Sequence, residues 1–138
     1  MPRSRNARAA GWSRPAPRSS ACVSCGSSTT TPGCAIPGPI TLRDGDHFRL
    51  LDFRFTGWGG KFGAERDDLL VENLAAQGLF GASERRRIDF ALEGGAIDAD
   101  GAGTLLTTWR CLHQRHPQLS RGELRETLAR ELCASRVL

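Results

Sequence analysis

Residues 88–108 read Ile88-Asp89-Phe90-Ala91-Leu92-Glu93-Gly94-Gly95-Ala96-Ile97-Asp98-Ala99-Asp100-Gly101-Ala102-Gly103-Thr104-Leu105-Leu106-Thr107-Thr108, and this stretch decides the fold class. Ile88, Phe90 and Leu92 alternate with Asp89, Ala91 and Glu93, the period-two pattern of a strand with one apolar face. Glu93 is therefore expected on the opposite face. Gly94-Gly95 ends the run, Ala96 to Ala99 reads as a second short strand, Asp100-Gly101 as a hairpin signal, and Gly103 to Thr108 as the return strand.

The same pattern extends toward the N-terminus. Ile40 to Leu42 reads as a strand, Arg43-Asp44-Gly45-Asp46 as a turn, and His47 to Phe55 as a return strand with Leu51, Phe53 and Phe55 on one face. Gly57-Trp58-Gly59-Gly60 interrupts all periodicity, as a loop does where the backbone turns sharply. A helix is expected from about Glu65 to Gln77, with Leu70 and Leu74 at i, i+4, acidic residues in its first turn and Gly78 at its C-terminal cap. Toward the C-terminus, Ser120 and Glu123 form a capping box, Leu119 and Leu124 a hydrophobic staple, and Leu124, Leu128 and Leu132 a buried stripe. The order strand, strand, helix, strand, strand, strand, helix gives a mixed α/β chain with local antiparallel pairs. It alternates too irregularly for a Rossmann domain, and no Gly-x-Gly-x-x-Gly opens a helix.

Composition bounds the remaining possibilities. The chain has 138 residues, enough for one domain, and its 16 Gly and 7 Pro favour turns over long helices. The net charge of +4 is misleading, because Arg3, Arg5, Arg8, Arg14 and Arg18 precede any acidic residue, whereas from Arg43 onward 14 basic residues face 15 acidic ones. A neutral body with no aromatic platform gives no reason to expect a nucleic-acid partner. No apolar run approaches a membrane span, and the Arg-rich start lacks the apolar stretch of a secretory signal. A mitochondrial transit peptide is disfavoured by Gly11, Pro15 and Pro17, so the expected location is the cytoplasm.

Residues 1–36 lack a hydrophobic period and read as a disordered or out-of-frame Arg/Ser-rich segment, while 37–138 read as the folded part. The five Cys are an odd number, expected as reduced thiols. Cys22-x-x-Cys25 with Cys34 could suggest zinc, but a lone CxxC lacks its second pair. Asp98, Asp100 and Gly101 lack the further oxygen ligands of a calcium loop. Cys111-x-His113-x-x-His116 is a third nominal metal pattern, and no metal or cofactor is expected at any of the three.

Residues 38–138 resemble the agmatine deiminases and their bacterial, Porphyromonas-type peptidyl-arginine deiminase relatives of the pentein superfamily. The resemblance rests on Pro37-Gly38-Pro39-Ile40, on Asp52-Phe53-Arg54-Phe55-Thr56-Gly57-Trp58-Gly59-Gly60-Lys61, on Leu92 to Thr108, and on Cys111-Leu112, Arg115-His116-Pro117 and Leu119-Ser120. It implies a partial five-bladed α/β propeller with one to two ββαβ-type blades. It also implies a hydrolase acting on the C–N bonds of linear amidines, converting agmatine to N-carbamoylputrescine and ammonia in putrescine biosynthesis, or deiminating a peptidyl arginine. In that chemistry a Cys thiolate attacks the guanidinium carbon, ammonia leaves, and water cleaves the adduct while a His shuttles protons. Carboxylates grip the planar guanidinium. Carried over by position, Glu93 is one of them, against the plain alternative of a solvated strand residue; Trp58 reads better as a packed loop aromatic.

The resemblance also marks departures. The family's nucleophilic Cys and its His-x-Asp pair are expected beyond Leu138, since neither Cys111 nor Cys133 has the nucleophile's Gly-rich context. Activity of this chain by itself is therefore not expected. Where the family has Trp-x-Arg-Asp-x-Gly-Pro, this chain has Gly33-Cys34-Ala35-Ile36-Pro37-Gly38-Pro39. Read from the third base of each codon, Pro32 to Pro39 permits Trp, Leu, Arg, Asp, Pro, Gly and Pro, which points to a frameshift at the Pro37-Gly38-Pro39 run. A non-catalytic guanidine-binding remnant or module is the competing class. The residues that choose between agmatine and peptidyl arginine lie mostly outside this stretch.

Overall fold

The computed structural model describes residues 37–138. The CxxC motif and everything else before Pro37 lie outside the described residues.

Strand β1 (Ile40–Asp44) and β2 (His47–Arg54) form an antiparallel hairpin in which Asp44 pairs with His47, leaving Gly45 and Asp46 as its two-residue turn. Gly45 supplies the positive φ of 58° that such a turn needs. A single helical turn, α1 (Gly57–Gly60), and helix α2 (Leu70–Ala76) then lead back to β3 (Glu84–Ala91), which lies parallel to β2. The second half repeats this plan. Strands β4 (Ile97–Ala99) and β5 (Thr104–Thr107) are antiparallel, α3 (Trp109–Arg115) and α4 (Arg121–Glu131) follow, and β6 (Arg136–Val137) returns parallel to β5. The result is two three-stranded sheets, ordered β1-β2-β3 and β4-β5-β6, each a β-β-α-β unit with the second strand in the middle.

The core joins the two units. Leu51 and Phe53 from β2, Ile88 and Phe90 from β3, Leu105 from β5 and Val137 from β6 meet Leu112, Leu124, Leu128 and Leu132 in one cluster. Each fully buried Leu contributes about 2 kcal/mol of transfer free energy. The capping box of α4 forms as the sequence predicts: the Ser120 hydroxyl accepts from the Glu123 N–H at 3.3 Å, and the Ser120 N–H donates to Glu123 Oε2 at 2.8 Å. Hydrogen bonds from the Ser120 hydroxyl and backbone N–H hold the Glu123 carboxyl below its ordinary range.

Three local expectations change. The helix expected over residues 65–77 is confined to Leu70–Ala76, and its buried residue is Val71, with Leu70 and Leu74 only half-buried and Leu69 exposed. Residues 65–69 form turns instead, with the Asp68 N–H donating to the Ala64 carbonyl at 2.8 Å and the Leu70 N–H to the Asp67 carbonyl at 3.2 Å, while the Asp68 carboxylate accepts from the Phe55 N–H at 2.6 Å and pairs with Arg87 at 2.5 Å. The strand expected over 96–99 begins only at Ile97, because Gly94–Ala96 forms a 3-10 turn. Helix α3, strand β6 and both parallel pairings go beyond the sequence expectation.

Asp52, which the alternation of β2 places opposite Leu51 and Phe53, is also buried. It accepts from Arg85 Nε at 2.9 Å and Nη2 at 2.6 Å through one oxygen, and from Arg87 Nη1 at 3.1 Å through the other. Arg87 continues to Asp68, so the outer face of the first sheet is tied together by a charge network. Burial opposes the charge on Arg87, but its bond to Asp68 and the neighbouring Asp52 outweigh this and raise its pKa.

Candidate functional site around Glu93

Parallel pairing of β2 and β3 brings their C-terminal ends together, and the Leu92 N–H donates to the Arg54 carbonyl at 3.1 Å beyond the last paired residues. The Gly57–Gly60 turn leaves β2 at this edge, and Glu93 leaves β3 beside it. The turn is tight because Gly57, Gly59 and Gly60 all have positive φ, and Trp58 is forced to φ 62°, ψ 46° among them. A left-handed non-glycine residue costs roughly 1–2 kcal/mol, so something must hold it.

Glu93 does. Its Oε1 accepts from the Trp58 backbone N–H at 2.9 Å and from the Thr56 hydroxyl at 3.2 Å. Its Oε2 accepts from Arg115 Nη2 at 2.5 Å, and the two charged side chains are only 10% and 7% exposed. Arg115 reaches in from α3 of the second unit, where its Nη1 also donates to the Cys111 carbonyl at 2.8 Å. Glu93 thus turns away from the apolar side of β3, as the alternation predicts, and it is enclosed by donors rather than solvated.

The surroundings are mixed. Trp58 meets Phe62 edge-on with centroids 5.2 Å apart, and Lys61 Nζ lies 5.3 Å from the Phe62 ring. A small cleft at the strand ends is bordered by Pro37, Gly38, Phe55, Asp67, Asp68 and Glu93.

The other singled-out residues are placed elsewhere. Asp100 Oδ1 accepts from the Ala102 and Thr104 N–H groups at 2.7 and 2.9 Å, closing the β4–β5 hairpin, and these bonds hold its pKa low. His113 stacks on Trp109 at 4.6 Å. Among the described residues no group of three or more His, Cys, Asp or Glu side chains is arranged to hold a metal ion. No helix among them is long and apolar enough to cross a membrane.

His116 is buried behind the site, stacked on Phe90 at 3.9 Å, and its Nε2 lies 3.0 Å from the Ala91 carbonyl. A carbonyl only accepts, so Nε2 carries a proton in this contact. Burial lowers its pKa from 6.5, partly offset by the Ala91 bond, with Arg54 and Arg115 adding to the depression. Below about pH 6.5 the unfolded chain therefore takes up a proton that the folded chain resists. Stability contributed by neutral His116 is present above that pH and is lost as pH falls. His116→Gln, which keeps a donor for Ala91, should flatten the dependence of the unfolding midpoint on pH between 7.5 and 5.5; an unchanged slope would assign it to other groups.

Thr56, the Trp58 N–H and Arg115 escape a reading of the sequence alone as partners of Glu93. Arg115 lies inside the quoted Arg115-His116-Pro117 block, but nothing local ties it to a residue 22 positions earlier.

Two successive β-β-α-β units with a carboxylate at the junction of turn and strand define an α/β module of the pentein type. Residues 37–138 match the family of Porphyromonas-type peptidyl-arginine deiminases, and the chain belongs to that family. The agmatine deiminase of Pseudomonas aeruginosa strain LESB58 is 36% identical over 109 residues, 73% of this chain and 29% of the relative. A Porphyromonas gingivalis structure, described provisionally as an arginine deiminase, superposes with a TM-score of 0.69 at 44% identity, covering 75% of this chain and 32% of the other. A Cys-to-Ser variant of the C. jejuni agmatine deiminase with substrate bound superposes with a TM-score of 0.68 at 30% identity, covering 75% and 31%. The chain spans about three-tenths of the length of these relatives.

Proposed function

We propose that residues 37–138 supply two blades of a guanidine deiminase and that Glu93 is a carboxylate through which it receives the substrate's guanidinium. The substrate class is agmatine or an arginine side chain. The observation that supports this is chemical: Oε2 of Glu93 already accepts from a guanidinium nitrogen, and Glu93 borders the small cleft at the strand ends. The turn and Thr56 fix the other oxygen, so the carboxylate is oriented before any ligand arrives.

The reaction requires a thiolate to form a bond to the guanidinium carbon, a proton for the departing ammonia, and a water to break the carbon–sulfur bond. In this reading the thiol and the His lie outside residues 37–138, which supply grip and orientation. The segment before Pro37 is proposed to be an out-of-frame replacement for the family's Trp-x-Arg-Asp strip.

The test is a titration of the full chain with agmatine, followed through backbone amide resonances, with ammonia release measured in parallel. No ammonia is expected. Saturable shifts at Trp58 and Glu93 are expected with agmatine, absent with putrescine, which lacks the guanidinium, and absent in Glu93→Gln. Equal shifts with putrescine, or in Glu93→Gln, would remove Glu93 from substrate recognition; sustained thiol-dependent ammonia release would place the nucleophile inside this chain.

A further inference from the structure

Arg115 has unusual surroundings. Its side chain is 7% exposed, it belongs to the second β-β-α-β unit, and its guanidinium spends one nitrogen on the Cys111 carbonyl and one on Glu93. Its Nε is buried with no hydrogen-bond partner among the described residues. A guanidinium that only balanced charge would do so equally well near the surface, where its donors are hydrated. Here an unsatisfied buried donor is tolerated, which fixes attention on what the other two nitrogens hold.

They hold opposite sides of one junction. The Cys111 bond ties the guanidinium to the backbone of α3, and the Glu93 bond ties it to the end of β3. Through Oε1, Glu93 passes the restraint to the N–H of Trp58, the one non-glycine residue of the left-handed turn. Helix α3 also touches the turn directly, since Gln114 Nε2 lies 3.4 Å from the Gly59 carbonyl and a Cβ on Gly59 would lie 3.0 Å from the Gln114 amide carbon. The turn is therefore gripped on one side by Glu93 and covered on the other by α3.

We propose that Arg115 is a positioning residue that orients the Glu93 carboxylate and thereby holds the Gly57–Gly60 turn across the junction of the two units. Its functional meaning rests on the reading of Glu93 given above, but the restraint exists without any ligand. A monodentate Arg leaves the Glu93 carboxylate directed, with one lone pair of Oε2 still open. A carboxylate lacking that second anchor would be free to rotate, exchanging which oxygen meets Trp58.

The experiment is amide hydrogen exchange and backbone resonance assignment on the full chain without substrate. In Arg115→Met the Trp58 amide should exchange faster by on the order of tenfold or more, while Leu124 and Leu128 amides in α4 keep their protection. In Arg115→Ala, millimolar methylguanidinium should restore the Trp58 amide position and protection, and it should fail to do so in the Glu93→Gln, Arg115→Ala double variant. An unchanged Trp58 amide in Arg115→Met, or restoration that persists without the Glu93 carboxylate, overturns the proposal. If Arg115→Met does not fold, Arg115→Lys carries the test: a single nitrogen replaces the two that donate separately to Glu93 and the Cys111 carbonyl, so Trp58 should still loosen with α4 intact, and an unloosened Trp58 overturns the proposal. Agmatine titration reads the substrate proposal separately, because this measurement uses no substrate.

Discussion

Replacing Asp52 with Ala should cost about 3 kcal/mol of folding stability, the lower end of what removing one partner of a buried ion pair costs. The carboxylate is 2% exposed and receives three donors, two from Arg85 and one from Arg87. Its loss strands two guanidinium groups against the sheet. Because those side chains are 24% and 36% exposed, they can turn partly to water, which keeps the loss from reaching the upper end. Asp52→Asn, which keeps the volume and one acceptor, should lose less. Urea denaturation of both variants measures this, and an Asp52→Ala chain within about 0.5 kcal/mol of the wild type would show that the network is incidental.

Gly57→Ala should be of similar severity for a different reason. Gly57 has φ 61°, and a Cβ placed there would lie 2.3 Å from the Phe62 carbonyl oxygen, a backbone atom that cannot swing away. Left-handed strain of roughly 1–2 kcal/mol adds to an overlap cost of roughly 1–3 kcal/mol. Gly45→Ala separates the two effects. Its φ of 58° is nearly the same, but nothing lies within 4 Å of the added carbon, so only the conformational part should appear. The Gly57 variant should also lose any agmatine-dependent shift at Trp58, because the turn must open to relieve the overlap. Equal losses at the two positions, measured by urea denaturation, would mean that the close approach to Phe62 carries no energy.

Both substitutions act on the same edge of the molecule from opposite directions. Asp52 fixes the outer face of β2 and β3, and Gly57 lets the chain leave β2 sharply enough for Trp58 to reach Glu93. Chemistry at a site like this depends on a carboxylate held within a fraction of an ångström, and rigid strands supply that where a mobile loop would not. Arg115 adds the second unit to the arrangement, so the two sheets are linked by charge at this junction as well as by their shared apolar core.

Short-range chemistry was legible in the residues themselves. The Asp100-Gly101 hairpin, the Ser120–Glu123 capping box and the Leu124, Leu128, Leu132 stripe each depend on neighbours a few positions apart and form where expected, and the turn expected over Arg43-Asp44-Gly45-Asp46 narrows to Gly45 and Asp46 because Arg43 and Asp44 pair in β1. The outward direction of Glu93 was legible for the same reason, since strand alternation is a property of one strand. Helix α3 was not, because Leu112 is the one buried apolar residue of its seven and no apolar period marks it. Nor was the shortened α2, whose expected start over residues 65–69 forms turns while the Asp68 carboxylate serves the distant Phe55 N–H and Arg87.

What the sequence determined by itself is a mixed α/β chain from Pro37 onward, with two hairpins, a strongly capped final helix and the motifs of its family. What only the tertiary structure decided is which distant residues meet: the parallel pairing of β2 with β3, the pairing of β5 with β6, and the Arg115–Glu93–Trp58 chain. A parallel pair has no local turn to announce it, and its register follows from how the intervening helix packs. An ion pair between side chains 22 residues apart has no sequence signature either, because any of the 14 basic residues from Arg43 onward could serve a carboxylate until folding brings one within reach. Packing of the shared core selects Arg115, and so decides that Glu93 is an anchored carboxylate at the junction of two units rather than a charge in water.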